Sequence, residues 1–362
     1  MKSADRDFLY QLLNTPSPTG FEMPGQQVWS AWLRALGHEA QCDSYGSTWA
    51  TLPGKSERIL MLEAHADEIG YIIKHIDASG FIRLDRIGGS DAATARGRRL
   101  HLLGDLGPVS GVIGNTAIHL RRDELGQEKA PKIHELWVDV GASSAREVTA
   151  LGLRVGHPAV YPDEPVELAH QRIVGRALDN RLGSFIIAQV FKRVAASKKK
   201  SAFSLICLNA VQEEIGGNGA MMATYRIRPD ACVCLDVTHA TDTPGIDVHK
   251  FGSVKLGGGP TVSHGTSNHP QLVKRLMHVA QERKISIQHE ASSRYTGTDT
   301  DKIFHSREGV PSALVSIPLR SMHSVVETAH LHDVEATIDW LTAFVLSLKV
   351  TDTFHQSLTA EA

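Results

Sequence analysis

The sequence is short of the features that would make it a secreted, membrane-spanning or nucleic-acid-binding chain. It has four cysteines in 362 residues, too few for a disulfide framework. Cys232 and Cys234 lie two apart inside an apolar run and read as part of a buried strand. No apolar stretch approaches the roughly 18 residues that span a bilayer. Met1–Asp7 lacks the apolar segment that opens a signal peptide. These absences lead us to expect a soluble protein of a reducing compartment, the cytoplasm. Neither sign of charge is in excess: 38 Lys and Arg stand against 40 Asp and Glu, a net charge of −2. Nucleic acid and anionic membranes need a basic surface, so neither is an expected partner. The one basic run, Lys198-Lys199-Lys200, reads as a solvated loop. No internal repeat or low-complexity segment is present.

Histidine, by contrast, is plentiful. There are 19, scattered through the chain, which is not the pattern of a His-rich metal-storage tract. The question is which few sit among carboxylates.

The hydrophobic pattern divides the chain. Residues 5–36 read as two helices broken at Thr15-Pro16-Ser17-Pro18-Thr19-Gly20, and Arg58–Ala64 as a buried strand ending at His65. From about 68 to 170 short strands dominate. Ile69–Ile73 and Phe81–Leu84 flank a hairpin turn at Asp77-Ala78-Ser79-Gly80, and Asn115–Leu120 and Leu136–Val140 continue the β character. Gly88-Gly89 reads as punctuation between strands. A short helix is expected near Ala145–Leu151. From about 171 the chain alternates: a helix over Asn180–Val194, strands at Phe203–Val211 and Ala231–Val237, a helix at Leu272–Arg283, a strand at Ile285–Ile287, a strand at Ser312–Pro318 and a closing helix over Val334–Leu348. This is an α/β fold whose sheet is covered on both faces, made of residues 1–68 plus 171–362, with a β-rich insert at 69–170.

Five segments place a metal-capable side chain where a strand ends or a loop begins, which is where open α/β sheets gather their sites. His65 ends the first strand, with Asp67 two residues on, spaced to accept from the imidazole. The plain alternative is a strand-end histidine among solvated acids. Asp179 precedes a helix, and is either its N-cap or a carboxylate whose two oxygens bridge two cations. Glu213 and Glu214 are adjacent at the end of an apolar strand. Buried like charges are costly, and a cation removes that cost; an exposed acidic turn is the other reading. Because neighbours on a strand point in different directions, one glutamate can ligate while the other serves as general base. Another apolar strand delivers Asp236, and His323 lies just beyond Ser316-Ile317-Pro318. Two histidines, three carboxylates and a spare glutamate match what a two-metal hydrolase needs: a bridging carboxylate, then one histidine and one carboxylate on each ion. Such an N/O set suits Zn²⁺ or Co²⁺.

At this point the sequence resembles the co-catalytic metallopeptidases that include the tetrahedral (TET), glutamyl and deblocking aminopeptidases. The likeness rests on ordered motifs: AHADEIG at 64–70, GRALDNRLG at 175–183, QEEIGGNGA at 212–220, LDVTHATDTPG at 235–245, GTDTD at 297–301 and PLRSMHSVVE at 318–327. It implies that Asp179 bridges two metal ions, that His65 and Asp236 complete one and Glu214 and His323 the other, that Glu213 is the general base and that Asp67 orients His65. It further implies a mixed-sheet α/β/α catalytic domain with an inserted small β-barrel-like dimerisation domain, removal of N-terminal residues from peptides, and homo-oligomers reaching a tetrahedral dodecamer. Ser321 and Val325 stand where relatives often carry an aromatic and a proline, and Thr300 where alanine is common. Gly258, Gly259, Gly297, Asp299 and Arg320 are candidates for the substrate cleft. His264 and His269 read as surface residues. Asp333 reads as the cap of the last helix, beside His330 and His332. A two-metal N-acyl amino-acid deacylase or dipeptidase shares the same chemistry, and a metal-binding protein without turnover is the remaining alternative.

Overall fold

The computed structural model describes residues 1–120, 129–356 and 358. The amphipathic start of the chain folds as α1 (Ser3–Asn14) and α2 (Met23–Ala35). A proline opens α2, where its missing N–H is no loss. The strands β1 (Ala40–Cys42), β2 (Thr48–Leu52) and β3 (Ile59–His65) follow. The chain then makes β4 (Gly70–Ile76), β5 (Ile82–Ile87), β6 (Arg99–Gly104), β7 (Gly107–Ile113), β8 (Trp137–Asp139), the short α3 (Ala145–Ala150) and β9 (Pro158–Val160). Strands β10 (Val166–Leu168) and β11 (Arg172–Gly175) lead into α4 (Leu178–Ala195), β12 (Ser204–Ala210), α5 (Asn218–Ile227) and β13 (Ala231–His239). The remainder is α6 (Val248–Phe251), β14 (Thr261–His264), α7 (Pro270–Arg283), β15 (Gln288–Ala291), α8 (Thr300–Ile303), β16 (Ser312–Leu319), β17 (Glu327–His330) and α9 (Leu331–Ser347).

Eight strands form one mixed sheet in the order β1-β2-β12-β3-β13-β16-β14-β15. Its centre, β12, β3, β13 and β16, is parallel. Side-chain alternation sends Leu60, Leu62 and Ala64 into the core under α1, α2, α4, α7 and α9, while Met61 packs on the opposite face with residues of α5 and α8. The architecture is therefore a mixed α/β/α layering. Between β3 and β11 the chain closes a second body, the barrel β4-β5-β8-β7-β6-β9, around its own core of Tyr71, Ile73, Leu84, Leu100, Leu102 and Val138. A three-stranded sheet, β10-β11-β17, lies beside the return to α4. Among the described residues no helix is long and apolar enough to cross a membrane.

Two expected strands fall elsewhere. Asn115–Leu120 does not extend β7: Ile113↔Val138 ends the pairing with the three-residue β8, and Ile118–Leu120 is a single 3₁₀ turn. Ile285–Ile287 is not the edge strand, which lies at Gln288–Ala291. Ile285 still belongs to the helix end: Lys284 caps α7 in the left-handed region, and the Ile285 N–H donates to the Ala280 carbonyl. The expected cap of α9 differs too. His330 caps it, accepting from His332 N–H. Asp333 is buried instead and accepts from Gly257 N–H and Gly259 N–H.

Candidate metal centre

Parallel pairing brings the strand ends to one level. His65 pairs with Ala210 and Glu63 with Cys234, so Asp236, two residues on, is level with His65. Beyond Ala210 the chain turns sharply through Gln212, whose φ is +61°, and delivers Glu213 and Glu214. Asp179 stands at the mouth of α4 with non-helical torsions and no capping bond of its own. The next residue anchors it: Asn180 Nδ2 donates to the Leu235 carbonyl at 2.7 Å. His323 follows the end of β16.

These side chains converge. Asp179 turns one oxygen to each histidine: Oδ1 is 3.1 Å from His65 Nε2, and Oδ2 is 3.3 Å from His323 Nε2. Asp236 Oδ1 is 3.6 Å and Glu213 Oε2 3.9 Å from His65 Nε2, and Glu214 Oε2 is 3.5 Å from His323 Nε2. Ligand atoms of three overlapping triads, His65–Asp179–Asp236, Asp179–Glu214–His323 and His65–Glu213–Glu214, lie within 4.8 Å of one another. Each histidine is held by its other nitrogen. His65 Nδ1 is 3.2 Å from the Asp67 main-chain oxygen. His323 Nδ1 lies against Gly89, where a Cβ would come within 2.3 Å of it, and the Gly89 carbonyl accepts from the ring. Both Nε2 atoms are left facing the carboxylates, the arrangement that prepares an imidazole for a cation.

The donors fit divalent metal. Glu214 Oε1 is buried and has no hydrogen-bond partner. Burial, with Asp236, Asp299 and Asp67 adding to it and His65 opposing, pushes the Glu213 carboxyl up to about 10. Burial and the neighbouring Asp179 likewise raise Glu214 well above the usual carboxylate range. The opposite holds for Asp179: burial acts against its ionisation, but hydrogen bonds from His323 and His65 keep it low. In the same way, bonds to Asp179, Asp236 and Asp67 overcome burial and raise His65. So much like charge in so little water is relieved by a cation.

The Asp67 carboxylate accepts from Glu213 N–H at 3.0 Å, Glu214 N–H at 3.1 Å and Thr19 Oγ1 at 2.8 Å, and its Oδ1 is 3.4 Å from His65 Nδ1. It thus grips the two-glutamate turn as well as neighbouring the imidazole. A cavity of about 470 Å³ opens over the centre, lined among others by Gly89, Thr238, His239, Thr296 and Met322. Gly297 lies in its wall. Asp299 is buried beside Glu63, and Arg320 pairs with Asp242 at 2.7 Å. Gly258 packs on the Gln288 side chain and Gly259 on the Ser286 carbonyl, under the hold of Asp333. His264 faces His289 at 2.9 Å on the surface, and His269 precedes α7.

Sequence reasoning missed three supports. The Gly88-Gly89 pair comes from the barrel segment and presses on Glu214 and His323. Thr19 holds Asp67. Glu68 binds Arg176, Arg181 and Ser17 N–H, tying the two ends of the barrel insertion together. A buried-charge signal was present in GRALDNR, where two arginines flank an apolar-to-helix junction, but the partner lies more than a hundred residues away.

The model of the M42 glutamyl aminopeptidase family matches residues 46–340. The lysyl aminopeptidase of Pyrococcus furiosus is 31% identical over 351 residues, 96% of this chain and 99% of that one. An aminopeptidase structure from Desulfurococcus kamchatkensis, APDkam598, superposes with a TM-score of 0.88 at 31% identity, over 96% of each chain. The Pyrococcus horikoshii TET1 peptidase, described as assembling into a tetrahedron or a large octahedral shell, gives 0.83 at 26% identity over 95% of this chain and 100% of that one. With the family model spanning most of its length and a named relative 31% identical over nearly all of it, the chain belongs to the M42 glutamyl aminopeptidase family.

Proposed function

We propose that this chain, a metal-dependent aminopeptidase by its family, works through two divalent ions. His65 and Asp236 would hold one, Glu214 and His323 the other, and Asp179 both. The observation that carries the reading is that the two Asp179 oxygens face different histidines. The nitrogen and oxygen donors suit Zn²⁺ or Co²⁺. Bound there, the ions supply Lewis acidity, making water nucleophilic near neutral pH and drawing charge from a peptide carbonyl.

The chain's own residues do the rest. Glu213 lines the cavity and is not needed as a ligand. It takes the proton of the attacking water and returns it to the leaving amine. Asp67 holds the main chain of Glu213, and so fixes the reach of that base. The acidic floor favours the free α-ammonium of a peptide, which makes the reaction an exopeptidase one. Thr238, His239, Thr296 and Met322 form the wall that meets the first side chain.

The barrel segment, within residues 69–170, is the proposed dimerisation unit; Leu106, Val112 and Val155 are large apolar side chains exposed on it. Dimers then build a homo-oligomer up to a tetrahedral dodecamer, supported by the assembly of the P. horikoshii relative. Four cysteines without a disulfide support a cytoplasmic setting. The test is a panel on metal-reconstituted protein: aminoacyl-anilides, N-acetylated amino acids and dipeptides. Hydrolysis of anilides carrying a free amine is expected. Turnover confined to the N-acetylated compounds would overturn the reading in favour of a deacylase.

A further inference from the structure

Asp179 and His323 come to the centre from separate elements, yet one buried carboxylate holds both. Glu327 opens β17, four residues after His323, and is 1% exposed. Its Oε2 accepts from the main-chain N–H of Asp179 at 3.1 Å, and its Oε1 from the main-chain N–H of His323 at 2.9 Å. The antiparallel pair Gly175↔Glu327 brings it to the strand that feeds Asp179. Both recipient segments are conformationally costly. His323 has φ +60° and Ala177, two residues before Asp179, has φ +59°. Residues with a Cβ stay in that left-handed region only where their surroundings over-determine it. Burial and the nearby Asp179 push the Glu327 carboxyl up, while the two main-chain N–H groups favour its ionised form, in which it has two acceptor oxygens and no donor and can take both at once. Asp67 does the same across the centre, taking the N–H groups of Glu213 and Glu214 next to Gln212 at φ +61°.

We propose that Glu327 is a positioning residue for the ion of the Glu214–His323 half: it fixes the main chain from which His323 and the outer Asp179 oxygen reach that ion. The inference rests on the two-ion reading. It separates the halves, because His65 and Asp236 stand on β3 and β13 without help from Glu327, and Asp179 keeps its second anchor through Asn180. Glu327→Gln keeps the size of the side chain but must turn an N–H₂ toward one of the main-chain N–H groups.

The experiment titrates metal-stripped wild type and Glu327→Gln with Co²⁺, followed by visible absorption and calorimetry. Wild type should take two ions. The variant should bind the first nearly as wild type does and the second about 10–100-fold more weakly, the usual effect of removing a group that orients a ligand. Glu327→Asp, which retains two acceptors on a shorter arm, should recover part of the loss. Two ions with wild-type affinities in Glu327→Gln would overturn the proposal, and so would equal weakening of both. Fewer than two ions in wild type would instead overturn the two-ion reading. Hydrogen exchange on metal-free wild type then decides the clamp separately, and needs no variant to fold. Peptides carrying the Asp179 and His323 amides should be protected before any metal is added. Unprotected exchange of those amides would overturn it.

Discussion

The two halves of the proposed metal centre are built differently. His65 ends a central strand and is 2% exposed, whereas His323 follows its strand in a left-handed turn and is 33% exposed. Asp236 shares the first style, carried on the interior strand β13, while Glu214 sits in the turn after β12. The buried half is positioned by sheet register, which the packing of two helical layers enforces. The outer half is positioned by carboxylates that accept from main-chain N–H groups, Asp67 from Glu214 and Glu327 from His323, and by the Gly89 carbonyl, which accepts from the His323 ring. Asp179 is the side chain common to both.

The largest test of that division is Asp179→Ala. Both ions and all turnover should be lost; metal analysis that still finds two ions per chain would mean the halves are independent. Next is Glu213→Gln, which should leave both halves loaded and lower kcat by about 10²–10⁴, the usual worth of a general acid–base group. Near-normal hydrolysis of aminoacyl-anilides would remove Glu213 from its role. The histidines should then separate. In the metal-free protein, His65→Ala removes one partner of a buried ion cluster and should cost about 3–5 kcal/mol in denaturant unfolding. His323→Ala should cost about 1 kcal/mol, the ordinary scale of a single substitution. Equal losses would erase the distinction between a register-built and a turn-built half.

The smallest effect concerns Glu22, near enough to Asp67 to feel its charge. Glu22 is buried, accepts from Gly20 N–H at 2.7 Å, and burial pushes it up to about 7 from 4.5. A carboxyl raised on folding contributes its stability below the unfolded value and loses it as pH climbs through the folded one. Glu22→Gln should therefore gain Tm relative to wild type between about pH 5 and pH 8, by a few degrees. A difference constant over that range would show that Glu22 does not titrate there.

The buried half was readable because strand ends follow from hydrophobic runs: the run Arg58–Ala64 pointed to His65, and the run Ala231–Val237 already held Asp236, inside a strand β13 that continues two residues further to His239. Helix α4 was readable from its apolar stripe, but whether Asp179 capped it or faced the centre was open, since both readings put a carboxylate at a helix start. The structure gives it no capping bond. The outer half resisted because its supports are main-chain geometry. Nothing in Ser321-Met322-His323 announces two left-handed residues, and Glu327 looks like any acid near a strand. Ile285–Ile287 misled for a similar reason: an apolar–polar–apolar triplet can follow a helix end as readily as start a strand. The cleft glycines at 258 and 259 read as room for a ligand, whereas their contacts are with Asp333, Gln288 and Ser286.

Gly88-Gly89 has a consequence for how this architecture can change over evolutionary time. The barrel leaves the sheet beside one histidine and returns beside the shared aspartate, and part-way round it presses two glycines onto the other histidine and its glutamate. Cutting it out would remove a wall of the centre, and replacing it with a different module would need the same two small residues in the same place. The barrel and the proposed site thus share one wall, so larger residues in the barrel are accommodated more readily on the sides facing away from His323.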